Sequence, residues 1–290
     1  LFLCEKLYFY KRLSKSKRKL DHGGLLMVGV GLFAGQQSDK ASVERYLDVY
    51  IGTDVYTNEI YNVQQQEWVS NLYFDVGSGT ADDLDKLVSG HMSQCYGDRA
   101  YKIVWLSSSP ECNTFSKTDG SNSNKKVRVN GELARKDCRY RDWDNGAIPL
   151  RREPGDRDYG KYLKALKDDQ VVQNLLVLLE RMMELHPDIG WHIENSAGGL
   201  AMQAYMIGWT SKWTFELIHY CAYGHWYNKP THIWTNIDWV PSGLTGDGKC
   251  GQCEDECWYG YLDEDGKWKH YYTLGNDSRR LIQGQFCYNY

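Results

Sequence analysis

Apolar residues fall in short unbroken runs separated by amphipathic stretches. "LLMVGVGLF" (25–33) is almost wholly apolar, which marks a strand buried on both faces of a parallel sheet. "SDKASVERYL" (38–47) has helical spacing with Ser38 as candidate N-cap, the residue type that satisfies a helix's first amides. "DVYIGTDVY" (48–56) is a second strand ending in the acid Asp54, and "NLYFDV" (71–76) a third. A helix is expected over "DDLDKLVSGHM" (82–92) and a strand over "AYKIVWLSS" (100–108). "YLKALKDDQVVQNLLVLLERMMELHPDI" (162–189) is the clearest amphipathic helix, stopped by Pro187, and it feeds a strand and glycine turn at "GWHIENSAGG" (190–199). "TSKWTFELIHYCAYG" (210–224) reads as a further helix and "KPTHIWTNI" (229–237) as the last strand. Alternating strands and helices predict an α/β fold with a mostly parallel, twisted sheet.

Three segments break this pattern. Residues 117–161 are polar, punctuated by glycine, and carry twelve basic against eight acidic side chains. So long a loop is either functional or a solvated insertion. Residues 1–24 form a basic extension with seven Lys and Arg, ending in Gly-Gly, and 241–290 form a Gly-rich tail with four of the nine cysteines. The expected organisation is therefore a catalytic domain over 25–240, with the 117–161 insertion inside it and an appendage at each end.

Composition changes the picture only in places. Of 290 residues, 42% are apolar and 25% charged, with a net charge of −4. That balance excludes a polycation, so any nucleic-acid surface must be local. Eleven Trp and 22 Tyr suit either base stacking or an aromatic core. The cysteines are odd in number and scattered, no secretory-type apolar region opens the chain, and no run approaches the roughly 20 apolar residues of a membrane span. Reduced thiols in a cytoplasmic or nuclear monomer are expected. A first residue of Leu rather than Met reads as a fragment or trimmed chain.

In an open α/β sheet, ligands sit outside the carboxyl ends of the strands. Three segments meet at such ends: the turn at Gly35, the thiol Cys112 in "IVWLSSSPECNTFSK" (103–117), and Glu194. Taken alone, Cys112 is either an inert core thiol or a nucleophile; no histidine segment pairs with it as in a thiol hydrolase.

"SPECNTFS" (109–116) resembles the catalytic motif of DNA cytosine-5 methyltransferases, Gly-Pro-Pro-Cys-Gln followed by x-Phe-Ser. Pro110, Cys112, Phe115 and Ser116 match, while Ser109, Glu111 and Asn113 replace Gly, Pro and Gln. "WHIENSAGGL" (191–200) is similar to the family's Glu-Asn-Val motif through Glu194 and Asn195, with Ser196 in place of Val. "GLFAGQQS" (31–38) resembles its cofactor motif through Phe33, Ala34 and Gly35, with Gln37 where a glycine is usual. The motifs stand in the family's order across roughly residues 25–240.

The resemblance implies a Rossmann-like S-adenosylmethionine-dependent methyltransferase. Cys112 would add to carbon 6 of a cytosine, and Glu194, with a pKa raised by a closed pocket, would hydrogen-bond N3 and the exocyclic amine. Asn195 and Lys229 complete the catalytic set. Phe33, Ala34, Gly35, Ser38 and Pro110 would line the cofactor, with Asp54 on the ribose and Asp75 at the adenine; the plainer reading of both acids is solvated strand ends. The target base must be flipped from its stack. The 117–161 insertion stands where the family has a mobile catalytic loop, so its Arg and Lys either hold phosphates or are merely solvated. In "GHWYNKPTHIWTN" (224–236), Lys229 and Thr231 occupy the two arginine positions of the family's Gln-x-Arg-x-Arg motif. Viral and algal methyltransferase-like proteins have a similar run, which implies a divergent branch. DNA is the expected partner, with RNA, or binding without catalysis, as rivals. The acid Glu111 beside the thiol calls for a compensating cation, sought in the insertion.

In the tail, Cys250, Cys253 and Cys257 followed by His270 have ligand types for a structural zinc, with Cys287 in reserve; unpaired thiols are the other reading, and the resemblance implies that 241–290 stands as a reduced target-recognition region. The His-x-Glu…Pro-Cys-x-x-Cys arrangement of zinc deaminases is absent.

Overall fold

A computed structural model describes residues 24–35, 40–62, 65–116, 126–129, 132–135, 140–223, 229–241, 260–262 and 268–270. Its centre is a seven-stranded sheet. In chain order the strands are β1 (Leu26–Leu32), β2 (Val49–Asp54), β3 (Leu72–Tyr73), β4 (Tyr101–Ser108), β5 (Gly190–Ser196), β6 (Thr214–His219) and β7 (Pro230–Thr235). Their order across the sheet is β6-β7-β5-β4-β1-β2-β3. The pairs from β3 to β5 are all parallel, whereas β7 runs antiparallel to both β5 and β6. This is the expected α/β, Rossmann-like, mostly parallel sheet.

The helices are α1 (Lys40–Glu44), α2 (Ala81–Tyr96), α3 (Tyr159–Leu185) and α4 (Ala204–Lys212). Thr80 starts α2 with a capping box, its hydroxyl accepting from the Asp83 amide while the Asp83 carboxylate accepts from the Thr80 amide. Leu84, Val88 and Met92, four residues apart, then face the sheet; full burial of such side chains stabilises by about 1.5–3 kcal/mol each. Val28, Val30 and Leu32 of β1 join them in the main core with Leu175, Leu179 and Met182 of α3. The intervening positions of β1 are glycines because α1 and β2 crowd the opposite face. A Cβ on Gly29 would meet Val43 Cγ1 at 2.5 Å, and one on Gly31 would meet the Tyr50 hydroxyl at 2.0 Å. The "VGVG" pattern is thus a valine face and a close-packed face. Trp105, Trp191 and Trp234 are fully buried, so these rings are core.

The helix expected over 210–224 is corrected. Helix α4 stops at Lys212, and Thr214–His219 is a strand, paired residue for residue with β7 from Thr214↔Thr235 to His219↔Pro230. A short apolar run fits either period; β7 offers the Thr214, Phe215 and Ile218 segment a partner ladder, and strand pairing wins.

The 117–161 insertion is not a featureless loop. Lys126–Val129 pairs with Glu132–Arg135, and Arg141–Asp142 with Ile148–Pro149. Arg141, one of the basic residues read as either holding phosphates or merely solvated, is instead fully buried. It makes a two-armed ion pair with Asp169 of α3 at 2.9 and 3.2 Å and donates to the carbonyls of Thr114, Ala147 and Ala165. That pairing explains why the acid Asp169 sits on the buried stripe of α3. Removing one member strands the other's charge, so Arg141→Met should lower unfolding free energy by about 3–5 kcal/mol in urea titrations. Arg141→Lys, which cannot fork, should recover only part of it.

Candidate active site

The strand order reverses between β1 and β4: from β1 the chain runs outward to β2 and β3, then returns to place β4 on β1's other side. Loops leaving β1 and β4 therefore diverge and open a crevice at the sheet's carboxyl edge. On the β1 side, Phe33 (φ 58°) and Gly35 (φ 47°) are both left-handed, a conformation that is strained for a bulky residue by about 1–3 kcal/mol and is retained where surroundings enforce it. Here the Ala34 amide donates to the Thr53 carbonyl and the Gly35 amide to Asp54 Oδ2 (2.9 Å), while Asn71 Nδ2 donates to the Gly35 carbonyl (2.8 Å). A Cβ on Gly35 would meet no atom within 4 Å, so one side of this turn is open.

Asp54 is not a solvated strand end, and Asp75 is half-exposed just beyond β3. Asp54 is buried and accepts from the Gly35 and Tyr56 amides. Asp75 accepts from the Gly77 amide and the Ser78 hydroxyl. Each carboxylate shapes its own loop and keeps lone pairs for a hydroxyl or an amine. An open left-handed turn with acids at the next two strand ends fits a nucleoside-bearing cofactor. Ser38 lies outside the described residues.

Across the crevice, the Cys112 loop is pinned at every turn. Buried Pro110 presents its carbonyl to Asn195 Nδ2 at 2.9 Å. The Phe115 and Ser116 amides close back on the Cys112 carbonyl. The Thr114 hydroxyl donates to Asp168 Oδ2 (2.7 Å), and the Arg141 guanidinium lies 4.0 Å from the centroid of the buried Phe115 ring. Cys112 itself is half-buried and unbridged. The loop after β5 comes so close that the Gly199 amide donates to the Phe115 carbonyl at 2.7 Å, and a Cβ on Gly198 would lie 2.2 Å from that oxygen. The paired glycines after Glu194 and Asn195 let the two loops touch.

Glu194 is buried near the end of β5 and takes three donors: the Ser109 hydroxyl on Oε2 (2.5 Å), and the Tyr220 hydroxyl (2.9 Å) and Lys229 ammonium (3.0 Å) on Oε1. Burial pushes its carboxyl up, but the Lys229 charge and the three hydrogen bonds outweigh burial and hold it below the ordinary range. The raised pKa expected for this acid is therefore corrected: with Lys229 in place, Glu194 is ionised. Thr231, at the second arginine position, is fully buried and donates to the Lys229 carbonyl. Ser109, Tyr220, Asn71 and Lys164 were not foreseen as site residues. Ser109 alone left a trace, a hydroxyl where the resembling motif has glycine.

The cation near Glu111 exists but does not come from the insertion: Lys164 of α3 bonds Glu111 Oε2 at 2.6 Å. Among the described residues no group of three or more metal-ligating side chains assembles. Cys250, Cys253, Cys257 and Cys287 lie outside them, and the backbone strand at 268–270 leaves the His270 side chain undescribed. Among the described residues no helix is long and apolar enough to cross a membrane.

No protein-family model matches the chain, and no curated protein does. Among solved structures, the S. pombe Dnmt2 methyltransferase overlaps 81% of this chain at 13% identity and a TM-score of 0.42. The match covers 57% of that protein, and at this level it bears on neither chemistry nor substrate.

Two substitutions probe the site. Gly198→Ala should cost about 1–3 kcal/mol by overpacking, read as a lower denaturation midpoint. Lys229→Met leaves a buried carboxylate without its cation, at a cost of about 3–5 kcal/mol near neutral pH. The depressed Glu194 pKa of the parent stabilises above the unfolded value and loses that contribution as pH falls through the folded one. The gap between parent and Lys229→Met should therefore be widest near about pH 7 and close only in acid, as measured by chemical denaturation from about pH 7 to well below about pH 4.

Proposed function

We propose that this chain is an S-adenosylmethionine-dependent methyltransferase acting on carbon 5 of cytosine in DNA through a covalent Cys112 adduct, with residues 25–240 as the catalytic unit. The observation that carries this reading is the 2.5 Å bond from Ser109 to Glu194. It ties the thiol loop to the carboxylate across neighbouring parallel strands, beside the crevice that the Phe33–Ala34–Gly35 turn lines from the other side. The Phe33 turn follows Leu32, which pairs with Ser108 just before the thiol loop, and this neighbourhood of three segments that resemble one family's motifs supports the reading.

The chemistry follows from the residues. Carbon 5 of cytosine is a weak nucleophile. Addition of the Cys112 thiolate to carbon 6 forms a C–S bond and pushes the ring's π electrons towards carbon 5. The negative charge this puts on the ring is answered by a proton to N3, which the Lys229 ammonium supplies through the Glu194 carboxyl; the Glu194 carboxylate then accepts from N3–H and from the exocyclic amine. Before it can engage both ring positions, one of its present donors must yield. Lys229, a mobile point charge, is placed to stay at Oε1 while Ser109 releases Oε2. Asn195 acts on the loop rather than the ring, by holding the Pro110 carbonyl. S-adenosylmethionine, held by Phe33, Ala34, Gly35, Asp54 and Asp75, supplies an electrophilic methyl group when bound. Transfer of the carbon 5 proton to solvent water then expels the Cys112 thiolate and restores the ring's double bond, while the N3 proton returns to the Glu194–Lys229 pair. The base must leave its stack to reach the thiol. Arg151 and Arg157, exposed just before α3, suit phosphate contacts.

A covalent trap tests this. With S-adenosylmethionine, 5-fluorocytosine DNA should form a denaturation-resistant adduct that disappears in Cys112→Ser, and Glu194→Gln should slow its formation by about 10²–10⁴-fold. An adduct with 5-fluorocytosine RNA alone would reassign the substrate. No adduct with either, from protein shown by calorimetry to bind the cofactor, would overturn the reading.

A further inference from the structure

The residues flanking Cys112 are both tethered to one face of α3. On one side, the Glu111 carboxylate meets the Lys164 ammonium at 2.6 Å. On the other, the Thr114 hydroxyl donates to Asp168 at 2.7 Å. Lys164 and Asp168 are four apart on the helix, and the same ammonium lies 3.4 Å from both Asp168 oxygens. The chain of contacts Glu111–Lys164–Asp168–Thr114 joins the residues on either side of Cys112, with Lys164 the only cation among its four members. Thr114 is almost fully buried and Asp168 largely so, its carboxyl pushed up by burial. The arrangement is fastened at its inner end and open to solvent at Glu111.

We propose that Lys164 is the positioning residue of the Cys112 thiol, holding the loop by this strap at the place where the resembling motif has a proline. A proline restrains its loop through its ring; Glu111 has no such ring, and its restraint comes from outside, through Lys164. The inference rests on the reading of Cys112 as the nucleophile. Half-exposed ion pairs contribute little to global stability, so the strap's effect is on placement, and displacing a reacting group slightly is costly in rate.

The experiment measures alkylation of Cys112 by iodoacetamide at pH 7, using peptide mass spectrometry on the intact chain with exposed Cys95 as internal reference, alongside the 5-fluorocytosine adduct rate. Lys164→Met should slow both Cys112 reactions by about tenfold, a modest share of what misplacement can cost. The Cys95 rate, the denaturation midpoint and the KM for DNA should stay as in the parent. Lys164→Arg, which preserves the cation, should restore most of the rate, and Glu111→Gln added to Lys164→Met should cost nothing further, because the two act as one unit. Unchanged Cys112 alkylation in Lys164→Met would overturn the strap. Slowed alkylation in a protein whose parent forms no nucleic-acid adduct would keep the strap and remove the proposed reaction.

Discussion

A buried carboxylate needs its charge answered, and at Glu194 the answer draws on three parts of the chain. Ser109 comes from the loop after β4, Tyr220 from the turn after β6, and Lys229 from the residue just before β7. The energetic penalty of leaving a charge unpaired in the interior is what fastens these segments to the end of β5. Lys229 also lies 4.8 Å from the centroid of the Tyr220 ring, so two of the donors support each other. The antiparallel β7, which sets Lys229 at the carboxyl edge of a strand running the other way, is in this sense part of the site's electrostatics as much as of the sheet.

The Cys112 loop shows the same economy in a neutral form. Its carbonyls at Pro110, Thr114 and Phe115 are each taken by a donor from elsewhere, respectively Asn195, Arg141 and Gly199. Backbone polar groups at a half-buried loop must be satisfied, and satisfying them with partners from β5, its following turn and the segment before α3 leaves the loop one conformation. The fully buried Arg141–Asp169 pair extends that hold into the helix. Tyr205 donates to the same carboxylate, and burial together with that bond pushes its phenol far up, keeping it protonated. Substrate-facing chemistry is thus supported by a polar network that contacts no substrate.

The aromatic content divides along similar lines. Trp191 packs edge to face against Trp209 and Trp213, with centroids 5.1 and 5.5 Å away, and these two rings tilt against each other at 6.1 Å, filling the space between β5 and α4. His232 of β7 lies 5.0 Å from Phe215 and 5.7 Å from Trp234, and burial lowers its pKa to about 4, so it stays neutral at physiological pH. Tyr61 and Trp68 pack together on an exposed hairpin instead.

Most of the sheet was legible in the chain itself, because a strand buried on both faces must be apolar throughout and a helix on its flank must alternate. β1, β2, β4, β5, β7, α2 and α3 all announce themselves so, and the carboxyl-edge placement of Gly35, Cys112 and Glu194 follows from strand direction alone. β6 is ambiguous in the sequence because six residues do not distinguish a period of 3.6 from one of 2, and only the neighbouring β7 resolves it. The partners within the site were hidden for a related reason. Ser109, Tyr220 and Lys229 are separated from Glu194 by 85, 26 and 35 positions, and Lys164 from Glu111 by 53; no local pattern encodes such pairings. Residue type determined which groups could react, and the crossing of the chain at the strand ends decided their charge states, since a carboxylate's burial and its nearest cation exist only once distant segments have met.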